Sequence, residues 1–223
     1  SGSQGNAAQL SLFTSTANGV VPVTNTFIGN NYVLHGDGAW HPPDLITVAS
    51  GNLQGTPASP NIKFAEIMWG NNVGDVFIDG WFAPQSNVTS FHCYLFFNGG
   101  WVNTGADYET TRFDFTGTTF GFNDDQGENT IGLSDGVCNA ANRSTHLNLH
   151  LFQARSTANI CLKYETIQAN STTNSLPRIV EGWSDYTGGS TINANGVMGI
   201  RFYFATGNIA SAQWTARATH RRQ

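Results

Sequence analysis

Charged side chains are scarce in this chain. Asp, Glu, Lys and Arg make up 11% of its 223 residues, well below the usual quarter, and Lys63 and Lys163 are its only lysines. The formal net charge of −5 leaves no extended basic field to attract nucleic acid. The single basic cluster, Arg217 with residues 220–222, lies at the C-terminal end. We therefore predict no nucleic-acid partner.

Long apolar runs and catalytic motifs are also missing. The longest apolar runs, such as 94–97, are far shorter than the 20 or so residues of a membrane span. The chain shows no secretory signal, and it has no Gly-x-Ser-x-Gly turn of the kind that presents a catalytic serine. We predict no membrane insertion, no enzymatic activity and no cofactor.

Cysteine is rare too. Cys93, Cys138 and Cys161 are odd in number and lack CxxC spacing, so at most one disulfide can form within the chain. We expect all three thiols to be reduced and mostly buried. Assembly in the cytosol would explain this state.

What the chain does contain is a succession of short alternating segments, with 15 Phe, 6 Trp and 6 Tyr among many Gly, Asn, Ser and Thr residues. No stretch has helical periodicity with caps. Turn signals every 8–12 residues predict an all-β fold, an antiparallel sandwich or squashed, jelly-roll-like barrel of about a dozen strands. The predicted strands include 10–15, 20–23, 62–69, 76–81, 91–97, 101–102, 109–115, 146–151, 160–164, 197–204 and 209–218.

The domain organisation follows from the same pattern. Residues 1–9 lack periodicity and predict a flexible N-terminal segment, and residues 10–223 predict a single β domain without a linker. The segment 35–61 contains four of the seven prolines and is predicted to be the longest irregular region, wrapping the surface. Three tryptophans within strand patterns are predicted to be core residues: Trp69, Trp81 and Trp214.

Three clusters could in principle bind a metal ion. The first, residues 35–41, contains two imidazoles and a carboxylate but has no recognised ligand spacing. His146 and His150 lie on a predicted strand, which separates them by about 13 Å, too far for one ion. Residues 123–129 are rich in acidic and amide side chains but lack the spacing of a calcium loop, so we predict an exposed acidic turn. We predict no metal site.

Glycoside chemistry would require two carboxylates on facing strands. The candidates are Glu109, Asp114, Glu165 and Glu181, and nothing in the sequence places two of them together. An alternating charged residue on a strand is normally part of a solvated face. These carboxylates therefore do not change the prediction of a non-enzymatic protein.

Aromatic residues beside polar turns are the best candidates for a ligand site. Sugar rings stack on aromatic faces while Asn, Asp and Ser bind their hydroxyl groups, so this mixture favours a glycan. Each such residue could instead pack in the core or at its rim. The candidate ligand-binding residues are Trp40, His41, Trp101, Trp183 and Tyr186.

In composition and strand rhythm the whole chain resembles the outward-facing β domains of non-enveloped virus particles, such as astrovirus capsid spikes, calicivirus protruding domains and adenovirus fibre heads. The resemblance implies a protein made in the host cytoplasm and displayed on the virion surface. It also implies attachment to a host-cell receptor, either a glycan or a protein, and recognition by neutralising antibodies. A non-viral lectin or carbohydrate-binding module and a complete jelly-roll coat protein remain alternatives.

Such domains generally form homo-oligomers. A surface this poor in charge has little electrostatic protection against association. We therefore expect a dimer or a trimer, with an interface near residues 202–204.

Overall fold

The computed structural model describes residues 33–34, 40–41, 45–54, 62–69, 73–86, 90–97, 100–136, 144–152, 154, 160–169, 177–188 and 196–220. The chain divides into two compact units, Ser1–Leu45 and Ile46–Gln223. The prediction of one domain over 10–223 stays a prediction, and the segment 1–9 lies outside the described residues. The first two predicted strands, 10–15 and 20–23, and His35 of the 35–41 cluster also lie outside the described residues.

The described residues form fifteen strands and no helix. In the first unit, β1 (Val33–Leu34) pairs with β2 (Trp40–His41). The others are β3 (Leu45–Gln54), β4 (Ala65–Met68), β5 (Val73–Pro84), β6 (Ser90–Phe97), β7 (Gly100–Trp101), β8 (Tyr108–Thr116), β9 (Thr119–Glu128), β10 (Ile131–Asp135), β11 (Thr145–Phe152), β12 (Ile160–Ala169), β13 (Pro177–Tyr186), β14 (Val197–Phe204) and β15 (Ile209–His220).

These thirteen later strands form two antiparallel sheets. The larger has eight strands in the order β3-β15-β5-β11-β12-β13-β8-β9. The smaller has the order β10-β6-β14-β4, and β7 also pairs with β6. The prediction of an all-β antiparallel sandwich is confirmed.

Alternation along the strands explains how the two sheets pack. In β11, Leu147, Leu149 and Leu151 are buried, whereas the residues between them face outward. The inward faces of both sheets together form one apolar core, the expected result when each sheet buries one face. Phe82 of the larger sheet lies in this core against Phe91 and Phe202 of the smaller one, with ring centroids 5.1 and 5.0 Å away.

Polar contacts also tie the sheets together. The Tyr108 hydroxyl donates to the Val102 carbonyl at 2.8 Å and accepts from the Leu95 amide at 3.0 Å. The buried Arg112 guanidinium binds Asp135 at 2.6 Å, and Tyr164 donates to the Gly132 carbonyl at 2.8 Å. Because β10 supplies Gly132 and Asp135, these bonds fasten that edge strand to the larger sheet.

The structure corrects parts of the sequence interpretation. The predicted irregular region 35–61 contains the ten-residue strand β3, and the predicted acidic turn at 123–129 falls mostly in β9. The strand pattern did not predict β13, which begins at a proline and is interrupted by polar residues. Trp69 and Trp214 are core residues as predicted, but Trp81 is only half-buried and its indole N–H donates to Gln213 at 3.3 Å.

Candidate functional site

An open cavity of about 690 Å³ lies against the smaller sheet; we call it the tyrosine cavity. Its volume is in the range usual for small-molecule sites. The lining combines aromatic rings, amides, hydroxyls and one charge of each sign. The residues are Lys63, Phe64, Tyr94, Asn103, Glu128, Asn129, Thr130, Tyr203, Phe204, Ala205, Gly207 and Asn208.

Strand register explains why the aromatic rings meet here. Tyr94 of β6 and Tyr203 of β14 have ring centroids 5.6 Å apart; Tyr203 is half-buried, whereas Tyr94 is only 3% exposed and belongs to the core cluster. Phe64, just before β4, lies 6.1 Å from Tyr203 and 6.4 Å from Tyr94, edge-on to both. Phe64 is 38% exposed, so it offers ring surface to a ligand.

Connecting segments supply the polar part of the lining. Asn129 and Thr130 link β9 to β10, and Asn208 belongs to the turn between β14 and β15. The Asn129 side-chain oxygen accepts from the Ala106 amide at 3.0 Å, and Asn208 donates to Gln85 at 3.1 Å. These bonds hold the amide groups in place before any ligand binds.

Arg201 contacts the aromatic residues in and beside the tyrosine cavity. Its guanidinium carbon lies 4.1 Å from the Trp101 ring centroid and 4.5 Å from that of Phe64, which are cation–π distances. It also donates to the Tyr94 hydroxyl at 2.8 Å and pairs with Glu66. One side chain therefore holds three aromatic rings in fixed positions.

His92 lies behind Thr130 and Tyr203. Its ring nitrogens are 2.6 Å from the Ser90 hydroxyl and 3.2 Å from the Thr130 hydroxyl, and its ring stacks on Tyr203 at 5.4 Å. Burial lowers the pKa of His92; the nearby Asp135 opposes this shift and Arg112 adds to it. Burial also raises the pKa of Tyr203, whose hydroxyl therefore stays protonated at neutral pH.

The lowered pKa of His92 predicts acid destabilisation. An unfolded chain binds this proton near the ordinary pKa of about 6.5, whereas the folded protein binds it only at lower pH. The stability associated with neutral His92 is thus complete above pH 6.5 and decreases as the pH falls from there towards the folded-state pKa. His92→Gln should flatten this part of the profile, measured as unfolding midpoint in urea against pH. His146→Gln, which removes an exposed imidazole, is the control; equal profiles for both variants would contradict the assignment.

The structure does not bring the predicted site residues together. Trp101 packs on Tyr94 and Phe96 beside the tyrosine cavity but does not line it. Trp183 is exposed on the outer face of the larger sheet, so it lies on the opposite side of the sandwich. Tyr186 is 3% exposed and packs against Phe97 and Tyr108, which contradicts the prediction that it reaches solvent. The side chains of Trp40 and His41 lie outside the described residues.

The cavity residues that sequence analysis missed share a recognisable position. Tyr94 and Tyr203 belong to continuous apolar runs that are typical of core strands, and only the strand register shows that both line the tyrosine cavity, Tyr203 half-buried and Tyr94 almost fully buried. Asn129 and Thr130 lie just beyond the acidic segment that the sequence presented as a turn. The useful signal was a Tyr rather than a Phe or Leu at an outward position, because a hydroxyl needs a polar partner.

All four carboxylate candidates lie on strands of the larger sheet, where Glu109 is opposite Asp185. Glu165 lies directly opposite Glu181 on adjacent strands of the larger sheet, on its outer face. Asp114 is bound by Arg178 at 2.8 Å, which neutralises its charge. No group of three or more metal-ligating side chains occurs among the described residues, and none of those residues forms a helix that could span a membrane.

The described cysteines are not activated nucleophiles. Cys93 and Cys161 are free, and Cys138 lies outside the described residues. Burial raises the pKa of the Cys93 thiol far above its usual range. Burial and the neighbouring Asp185 raise that of Cys161 to about 11, so both thiols stay protonated at neutral pH.

Comparison with known proteins identifies no family. No family model and no curated protein matches the chain. The crystal structure of a protein of unknown function from Shewanella oneidensis MR-1 is similar over 93% of this chain and 99% of its own, with 11% identity and a TM-score of 0.26. The structure of infectious bursal disease virus Gt strain is similar over 92% of this chain and 46% of its own, with 12% identity and a TM-score of 0.13. Likenesses this weak support no argument about function.

Proposed function

We propose that this β-sandwich is a glycan-binding attachment domain and that the tyrosine cavity is its binding site. The observation behind the proposal is the composition of that lining: Phe64, Tyr94 and Tyr203 meet three asparagine amides in one open cavity. Sugars present both apolar ring faces and hydroxyl groups, and they are recognised by this pairing of aromatic rings with neutral hydrogen-bonding groups.

Charge in the lining favours a neutral sugar over a strongly anionic ligand. Lys63 and Glu128 contribute one charge of each sign, and the other polar groups are amides and hydroxyls. A site for phosphate or a polyanion would need several cations, preferably arginines. Arg201, which packs on the Phe64 ring, already engages Glu66 and Tyr94.

The setting we propose is the surface of a non-enveloped virus particle, where the domain would attach the virion to a host-cell receptor. The support comes from the composition and strand rhythm of the chain, which resemble those of virion surface domains. An open sugar site buries little area and binds weakly, and display in many copies would restore useful affinity through effective concentration. A non-viral lectin would use the same cavity.

A glycan array probed with a multivalent display of the domain tests this function. We expect binding to one class of neutral glycan and a loss of about 1–3 kcal/mol, roughly 5- to 150-fold in affinity, on Phe64→Ala, because the stacking surface is removed. Asn129→Ala should also weaken binding by removing a fixed amide. Affinities are to be measured by titration of the best array hit.

The matched control is Phe115→Ala, which removes an exposed phenyl ring on the larger sheet and should leave glycan binding unchanged. Loss of binding in Trp183→Ala but not in Phe64→Ala would move the site to the larger sheet. Absence of any glycan binding by the multivalent display would reject the proposal.

A further inference from the structure

Strand β9 is an unusually open edge. Its ten residues pair with β8 on one side, and no other described strand pairs with it. Most of its side chains are exposed, including Phe120 at 57% and Phe122 at 55%. A long edge strand with exposed aromatic side chains readily pairs with another strand, and proteins usually protect such edges. By comparison, the edge strand β4 of the smaller sheet has only four residues.

The sequence at the start of this edge is nearly palindromic. It reads Thr119-Phe120-Gly121-Phe122-Asn123. A twofold axis requires that residue i of one copy meets residue j of the other, and that j meets i. An antiparallel pair centred on Gly121 satisfies this condition, since Phe120 of each copy then lies opposite Phe122 of the other. We propose that a second copy of this chain docks here, joining two β9 strands around Gly121.

The faces of the strand agree with this register. Phe120 and Phe122 lie on the outer face of the larger sheet, where Phe120 contacts Phe115 at 5.3 Å and Phe122 contacts Phe113 at 5.4 Å. In an antiparallel pair, residues directly opposite each other lie on the same face, so the new aromatic pairs extend this existing cluster. Gly121 at the centre has no side chain to obstruct close approach.

Charge disfavours registers shifted towards the C-terminal half of β9. The second half of β9 contains Asp124, Asp125 and Glu128, whereas residues 119–123 carry no charge. A pair centred on Asn123 would place Phe122 against Asp124, and one centred on Asp124 would oppose two identical carboxylates, which is destabilising. When the pair of strands is centred on Gly121, Asp124 and Asp125 extend past the second copy's Thr119 towards its uncharged turn at 117–118. The acidic half thereby limits pairing to about five residues.

The size of the contact predicts a weak dimer. An aromatic side chain can bury roughly 150–250 Å², so the exposed parts of four phenyl rings offer roughly 300–550 Å² across both copies. With the backbone strip added, the interface stays below the roughly 1,200 Å² that separates weak from stable complexes. This location differs from the one predicted near residues 202–204, which stays a prediction; there Phe202 and Phe204 are buried in the core and Tyr203 lines the tyrosine cavity.

Sedimentation velocity across a concentration series tests whether the edge associates. We expect monomer at about 1 μM and a substantial dimer fraction at about 100 μM. Phe120→Asp combined with Phe122→Asp should abolish the dimer. Phe115→Asp, a change of the same kind one strand away from the edge, should retain it; equal loss in both variants would show packing through the sheet face and overturn the edge-pairing proposal.

Disulfide trapping tests the register itself. In the proposed dimer the two Gly121 positions lie directly opposite, so Gly121→Cys should form a linked dimer of about twice 24.0 kDa under mild oxidation. Thr118 lies outside the paired segment, so neither Thr118→Cys nor the parent protein should form a linked dimer. A monomer at every concentration, or a dimer that Gly121→Cys fails to trap while Thr118→Cys succeeds, would reject this register. Circular dichroism confirms that each variant is folded.

Discussion

Replacing Phe82 by Ala is expected to lower the free energy of unfolding by about 3–5 kcal/mol. Phe82 is fully buried at the centre of the sandwich and contacts rings from both sheets: Phe91 and Phe202 across the core and Trp214, 6.3 Å away, within its own sheet. Removing the ring leaves a cavity that these fixed neighbours cannot collapse to fill. Urea titration monitored by tryptophan fluorescence measures the change.

Phe115→Ala is the matched control for this truncation. It removes the same ring from the solvent-exposed face of β8, where 42% of the residue is accessible, and should cost well under 1 kcal/mol. If both variants lost similar stability, the assignment of the two faces of the larger sheet would be wrong. An unchanged midpoint for Phe82→Ala would contradict the core directly.

Gly182→Ala is expected to destabilise the protein by about 2–3 kcal/mol despite adding only one methyl group. A Cβ atom at this position would overlap the ring and hydroxyl of Tyr164, its cross-strand neighbour. Tyr164 cannot move aside easily, because it is fully buried and its hydroxyl donates to the Gly132 carbonyl of the other sheet. The change should appear as a lower urea midpoint with an unchanged slope.

A double-mutant cycle isolates the cause. If the overlap is with the tyrosine ring, Gly182→Ala should cost much less in a Tyr164→Leu background, so the two changes are strongly non-additive. Gly121→Ala provides the matched glycine control: its added Cβ would meet Asp114 at 3.4 Å, an ordinary contact, and stability should be nearly unchanged. Additive costs in the cycle would show that the penalty arises from the backbone and not from Tyr164.

Apolar patterning was enough to predict most of the inner strands. The leucines of β11 repeat with period two because one face of the strand packs in the core, and β6 is a nearly continuous run of large residues because most of its side chains are buried. The pattern is weaker where the buried face contains glycine or polar residues. The buried face of β13 places Gly182 and Ser184 between Val180 and Tyr186, so this strand was not recognised, and the polar segment 123–128 of β9 was interpreted as an acidic turn. β3 was missed because it lies in a segment that its prolines marked as irregular.

The candidate site depended on information that the sequence does not contain. Asn129, Tyr94 and Tyr203 are distant along the chain, and only the pairing of β6 with β14 and the position of the β9–β10 connection bring them together. Proximity to a polar turn proved a poor guide to exposure, since Tyr186 follows this rule and is buried. Whether an aromatic residue at a strand end points inward is set by register, which a shift of one residue reverses.

The sequence by itself determined the all-β class, the poverty of charge and the composition of the inner strands, because each is a local property of residue type and period. Only the tertiary structure decided which aromatic residues face solvent, which strand lies open at an edge, and that Phe64, Tyr94 and Tyr203 share one cavity. These features follow from strand order and register, which depend on contacts between residues far apart in the chain.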